Sequence, residues 1–152
     1  MKKKLFKYAI RPLLSLIALY WFVFRPETTG VKCVIRCGEK ILLIKNSYGA
    51  DIWTLPGGGV RRNELLSDAV VREVLEEVGI AISRPKSCGS IFYDGEYKRN
   101  TVWVFLAEVN SCEAYAQSVE VDEAQWFFVQ ELPKNKSHLL LQYLELTKCS
   151  KV

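Results

Sequence analysis

Gly58-Gly59-Val60-Arg61-Arg62-Asn63-Glu64-Leu65-Leu66-Ser67-Asp68-Ala69-Val70-Val71-Arg72-Glu73-Val74-Leu75-Glu76-Glu77-Val78-Gly79-Ile80 is the stretch of this 152-residue chain that decides its fold. Leu66 to Val78 carries the best helical pattern in the sequence, and Gly79 sits where a C-terminal cap belongs. At about 100° per residue, Glu73, Glu76 and Glu77 fall within roughly a 100° arc of one helix face. Val70, Val71, Val74, Leu75 and Val78 cover another arc, expected to pack on a sheet. Three carboxylates so close repel one another in isolation, and no lysine in the helix offsets them. An acidic, solvated surface is the ordinary reading of a lone Glu-Glu pair, but it is a poor account of the whole pattern. Hard divalent cations seek clustered carboxylate oxygens and keep open positions for substrate phosphates. Mg²⁺ fits such a set best, with Mn²⁺ as its expected substitute.

Working outward, the flanks read as strands and turns. Val31 to Cys37 is expected as a strand, Gly38-Glu39-Lys40 as a turn and Ile41 to Lys45 as the hairpin partner. Asn46 to Asp51 is a loop, Ile52 to Leu55 a short extended piece, and Pro56-Gly57-Gly58-Gly59 a loop rich in accessible backbone. Beyond the helix, Ser90 to Asp94, Thr101 to Val109 and Ala124 to Val129 read as strands, and Lys136 to Lys148 as a closing helix. Mixed strands with one central and one C-terminal helix predict a layered α+β domain over residues 30–150.

Residues 1–29 differ from the rest. Lys2, Lys3, Lys4, Lys7 and Arg11 carry much of the excess behind a formal net charge of +4, and the unbroken apolar run Leu13 to Phe24 follows. That run spans about 18 Å as a helix, thin against a hydrocarbon core of roughly 30 Å. An N-terminal apolar helix over residues 8–24 therefore reads as a marginal span, an interfacial helix or a helix docked on the domain. The expectation is a domain on the cytoplasmic side, with that helix at the inner membrane face or packed on the protein. Glu27-Thr28-Thr29-Gly30 reads as a linker. No comparable basic run recurs, so a nucleic-acid polymer is not an expected partner. Five cysteines without a CxxC, and a single histidine, His138, exclude a zinc knuckle and any site built on several histidines. The cysteines are expected as small, buried, reduced thiols.

The spacing Gx5Ex7REUxEExGU (U aliphatic), filled without a departure from Gly58 to Ile80, resembles the signature of the Nudix hydrolases. Seven fixed residues at roughly 7% usage each arise by chance about once in 10⁸ start positions. The likeness extends over about residues 30–133 and implies an α/β/α sandwich around a mixed sheet. It also implies Mg²⁺-dependent hydrolysis of a phosphoanhydride in a nucleoside diphosphate linked to another moiety. Metal ligands implied are Glu73, Glu76, Glu77 and the Gly58 carbonyl, with Arg72 orienting a glutamate and Glu73 as a candidate base. Glu64 reads either as an outer ligand or as a structural acceptor. A later loop is expected to add an acid; Glu120 comes first as ligand or base, and Glu123 second. Trp53, Tyr93 and Tyr97 are the aromatics assigned to substrate, though each also reads as packing. Tyr97 falls where relatives acting on dinucleoside polyphosphates carry a tyrosine. The alternative function is a catalytically silent Nudix-fold module that binds a nucleotide and regulates a partner, with or without membrane association.

Overall fold

The computed structural model describes Leu16 and residues 27–48, 50–95 and 98–149. The expected N-terminal helix over 8–24, Leu16 apart, lies outside the described residues, as does Tyr97. Among the described residues, no helix is long and apolar enough to cross a membrane.

The chain runs β1 (Glu27–Cys37), β2 (Lys40–Asn46), β3 (Trp53–Thr54), α1 (Leu66–Val78), β4 (Lys86–Gly95), β5 (Lys98–Glu108), β6 (Val121–Phe128) and α2 (Leu140–Cys149). The sheet is mixed, in the order β3-β2-β1-β5-β4, with β6 also paired to β2. β1 and β5 are parallel, from Glu27 opposite Arg99 to Arg36 opposite Glu108. The other pairings are antiparallel. The residues expected as a linker, Glu27 to Gly30, therefore form the first turns of the pleat in β1. Their partners lie more than seventy residues away in β5, a pairing that local composition does not signal.

Alternation along β1 and β2 divides the core into two layers. Val31, Cys33, Ile35, Leu42 and Ile44 face α1 and pack with Ala69, Val70, Val74 and Val78. Val34, Ile41, Leu43, Val102 and Val104 face the other way, against Leu140, Tyr143 and Leu144 at α2. A sheet between two helices is thus what the alternating and helical periods build together.

One departure from regular pairing creates the site. β1 meets β2 only at the hairpin, through Arg36 with Ile41 and Cys37 with Lys40. Farther back, the neighbour of β1 is the glycine loop. The Val31 and Cys33 amides donate to the carbonyls of Gly58 and Pro56, each at 2.9 Å, and the Val60 amide donates to Thr29 at 3.1 Å. Gly57 is obligatory there. Its φ is +130°, and a Cβ would overlap the carbonyl of Val31.

Two further expectations change. Leu75 is 49% exposed, and Glu77 takes its place on the buried side of α1. The buried stripe runs Ala69-Val70-Val74-Glu77-Val78, so the helix is rolled to bring an acid under the glycine loop. The cysteines are not all reduced: Cys37 and Cys112 form a disulfide with their Cα atoms 5.7 Å apart. Their separation of 75 residues hides that juxtaposition from any spacing rule. Cys33 and Cys88 are free thiols, the first buried.

Candidate active site

The loop and α1 are joined through charged groups. The Gly57 amide donates to Glu77 Oε2 at 2.7 Å. Glu77 is only 8% exposed. Burial pushes its carboxyl up to about 7, against the opposing pull of the Lys32 charge and the Gly57 amide, while Glu73 and Glu120 push it up further. Glu73 packs on the next glycine, since a Cβ on Gly58 would fall 2.6 Å from Glu73 Oε2.

Arg72 organises the acids around it. Its Nε and Nη2 donate to Glu64 Oε1 and Oε2 at 2.7 and 2.8 Å, a two-pronged clamp. Nη1 donates to Glu73 Oε1 at 2.6 Å, and Nη2 also reaches the Gly59 carbonyl at 3.1 Å. Glu64 further accepts the Arg61 amide at 2.8 Å. The Arg72 hydrogen bonds, then the Arg61 amide, hold its carboxyl down at about 2. Of the two readings of Glu64, this geometry is that of the structural acceptor. Glu76 lies half-exposed at the rim, 3.3 Å from Arg61 and 3.4 Å from Arg72.

Glu120 approaches from the turn that precedes β6. Its carbonyl accepts the Ser47 amide at 2.8 Å, and the Ser47 hydroxyl donates to the Val119 carbonyl at 2.8 Å. These bonds seat the acid where its charge acts on Glu77. Glu123 is engaged elsewhere, in an ion pair with Lys45 at 3.2 Å, and does not join the group.

Two of the three aromatics assigned to substrate, Trp53 and Tyr93, make packing contacts. Trp53 is 5% exposed, edge-on to Phe127 with ring centroids 4.9 Å apart and with the Lys45 ammonium 4.8 Å over its ring. Tyr93 packs against the α2-side core, and its hydroxyl accepts from Asn100 at 2.8 Å. Trp53 is thus buried in the packing, whereas Tyr93 remains half-exposed. Tyr48, half-buried just after β2, lies within electrostatic reach of the acids. Its phenol is pushed up by burial first, and then by Glu120, Glu77 and Glu73.

Sequence reasoning missed Tyr48 and Lys32. Tyr48 carries no signal in a loop of mixed composition. Lys32 does: it is the one charge in the run Val31 to Ile35, whose other members are fully buried. Its ammonium donates to the carbonyls of Leu55 and Gly57 at 2.8 and 2.7 Å.

Whether these groups suit a cation is a question of donor chemistry. Among the described residues, no three His, Cys, Asp or Glu side chains already form a closed coordination set. The donors are nonetheless all oxygen, and the charges of Glu73 and Glu120 act on Glu77, with the half-buried Lys32 as its counter-charge. A hard divalent cation fits that excess of carboxylate. The Gly58 carbonyl already accepts the Val31 amide, so only its second lone pair is left for a cation.

Comparison with known proteins matches residues 26–145 to the NUDIX domain. A MutT NUDIX hydrolase of Burkholderia pseudomallei superposes with a TM-score of 0.73 at 30% identity, over 79% of this chain and 97% of that one. Diphosphoinositol polyphosphate phosphohydrolase 3-beta of Bos taurus is 30% identical over 97 residues, 63% of this chain and 59% of the relative. The NAD-capped RNA hydrolase NudC of Vibrio parahaemolyticus is 32% identical over 100 residues, 65% of this chain and 38% of the relative. The chain therefore spans less than two thirds of the length of these two curated relatives.

Proposed function

Because this chain belongs to the Nudix family, we propose that it hydrolyses a phosphoanhydride bond in a nucleoside diphosphate linked to a further moiety, with Mg²⁺ as its cation and Mn²⁺ as a substitute. The observation that carries the reading is the pairing of Glu73 and Glu77 with the glycine loop, one fixed by Arg72 and the other by the Gly57 amide. The curated relatives are named for a diphosphoinositol polyphosphate and for NAD-capped RNA. Both compounds contain two phosphates joined by an anhydride, and that linkage is the feature transferred here.

The residues divide the work. Glu73, Glu77 and Glu120, with Glu76 and the Gly58 carbonyl at the margin, would hold the cation. A bound Mg²⁺ supplies neutralisation of phosphate charge and a lowered pKa for the attacking water. Arg72 keeps Glu73 in one orientation, and the Gly57 amide does the same for Glu77. Glu73 or Glu120 accepts the proton of the attacking water. The new P–O bond forms as the bond to the leaving phosphate breaks. Tyr48 lies within electrostatic reach of these acids and is the aromatic offered to the substrate.

A phosphate-release assay over a panel of nucleoside diphosphate derivatives tests the proposal. We expect Mg²⁺-dependent turnover, abolished by EDTA and restored by Mg²⁺ or Mn²⁺. Glu77→Gln is expected to lower kcat by at least about 10², because it withdraws a charge from the reaction centre. Activity of the variant within severalfold of wild type would remove Glu77 from the cation site. Nucleotide binding without turnover on any substrate would favour the silent module instead.

A further inference from the structure

A lysine in the middle of a buried strand is costly unless its ammonium is fully used. Lys32 lies between Val31 and Cys33, both 0% exposed, and burial pulls its ammonium below the ordinary lysine value. The carbonyls of the glycine loop show how it is used. Those of Pro56 and Gly58 go to main-chain amides of β1, at Cys33 and Val31. Those of Leu55 and Gly57 go to the Lys32 ammonium. Four consecutive carbonyls are thereby satisfied from one strand, two by its backbone and two by a single side chain. Gly57 is held at both ends, its carbonyl by Lys32 and its amide by Glu77.

We propose that Lys32 is a positioning residue of this site: by gripping the Leu55 and Gly57 carbonyls it fixes the loop so that the Gly57 amide stays on Glu77. The catalytic consequence rests on the hydrolase reading above, whereas the positioning itself does not. A methionine at this position would match the length and apolar body of the lysine stem but donate no hydrogen bond. The two carbonyls would then be left buried without donors, and Gly57 would be free to turn its amide away from Glu77. Arginine keeps the charge and the donors.

The test compares wild type, Lys32→Met and Lys32→Arg. Backbone amide exchange followed by NMR on the cation-free protein reads the positioning directly. In Lys32→Met the Gly57 amide is expected to exchange at least about tenfold faster, as follows from losing a charge-assisted hydrogen bond. The Val31 and Cys33 amides, held by other carbonyls, are expected to keep their protection. Turnover is expected to fall by about tenfold or more in kcat with KM within about threefold, and Lys32→Arg to recover part of the loss. Unchanged Gly57 exchange in Lys32→Met overturns the proposal. So does equal loss of protection at Gly57, Val31 and Cys33, which would mark a general loosening. If wild type hydrolyses nothing in the panel, the hydrolase reading fails, and the exchange measurement still decides the positioning.

Discussion

At the scale of single residues, the site is a set of charges each restrained by a neighbour, and Glu64 is the clearest case. Both its oxygens are clamped by Arg72, and its carboxyl is held at about 2, against 4.5 for the free side chain. A carboxyl whose pKa is depressed on folding contributes stability that is fully present above the unfolded value. That stability is lost as pH falls from about 4.5 through about 2. Glu64→Gln is therefore expected to melt below wild type at neutral pH, with the gap closing as pH approaches 2. Thermal melts between pH 7 and 2.5 check it, and a gap independent of pH would show that the clamp adds nothing through ionisation. The α1 glutamates of the motif were legible as candidates from their spacing on one helix face, and Arg72 and Glu120 from the family resemblance. Lys32 was not, because its partners are backbone carbonyls, which leave no trace in side-chain spacing.

At the scale of elements, α1 shows what periodicity determines and what it leaves free. Its limits, Leu66 to Val78, follow from the apolar pattern and from Gly79, whose φ of 70° is left-handed and whose amide closes on the Leu75 carbonyl at 3.1 Å. The roll of the helix does not follow from the pattern. Counting apolar residues puts Leu75 inward, whereas the hydrogen bond from Gly57 draws Glu77 inward and leaves Leu75 half out. A polar tie to a distant loop outweighs one leucine at the edge of the stripe. Gly79 has a second duty, because a Cβ there would overlap the side-chain amide of Gln117. The main-chain N–H of Gln117 also donates to the Glu77 carbonyl at 3.1 Å, so the segment leading to Glu120 is laid against the end of α1. Gly79→Ala is expected to cost about 2 kcal/mol, the left-handed backbone contributing roughly 1–2 of it. A drop in Tm of about 5 °C would correspond. A melt unchanged within a degree would mean that neither the backbone nor Gln117 constrains this position.

At the scale of the whole molecule, the acids come from two separate segments, α1 and the turn before β6, and the ties that join those segments matter most. The layered α+β fold was legible because two alternating strands and one amphipathic helix leave few other ways to bury their faces. The pairing of Glu27–Gly30 with β5 and the bond between Cys37 and Cys112 were not, since both depend on contacts more than seventy residues apart. That disulfide joins the end of β1 to the segment which carries Gln117 against α1 and then Glu120 to the site. Beside it the Val109 amide donates to the Arg36 carbonyl at 2.8 Å, so the segment is anchored to β1 twice where it leaves β5. Closing a loop of 75 residues restricts the unfolded chain by about 4 kcal/mol in the chain-entropy account. That is a large fraction of the roughly 5–15 kcal/mol that holds a domain folded. Cys112 is exposed, so a small thiol reductant has access to the bond. Wild type is expected to lose about 10 °C in Tm on reduction, and Cys112→Ser to melt at the reduced temperature with no further response to reductant. Equal melting of oxidised and reduced wild type would show that the hydrogen bonds to Arg36 and Glu77 suffice to hold the segment, and that the disulfide adds no stability to the fold.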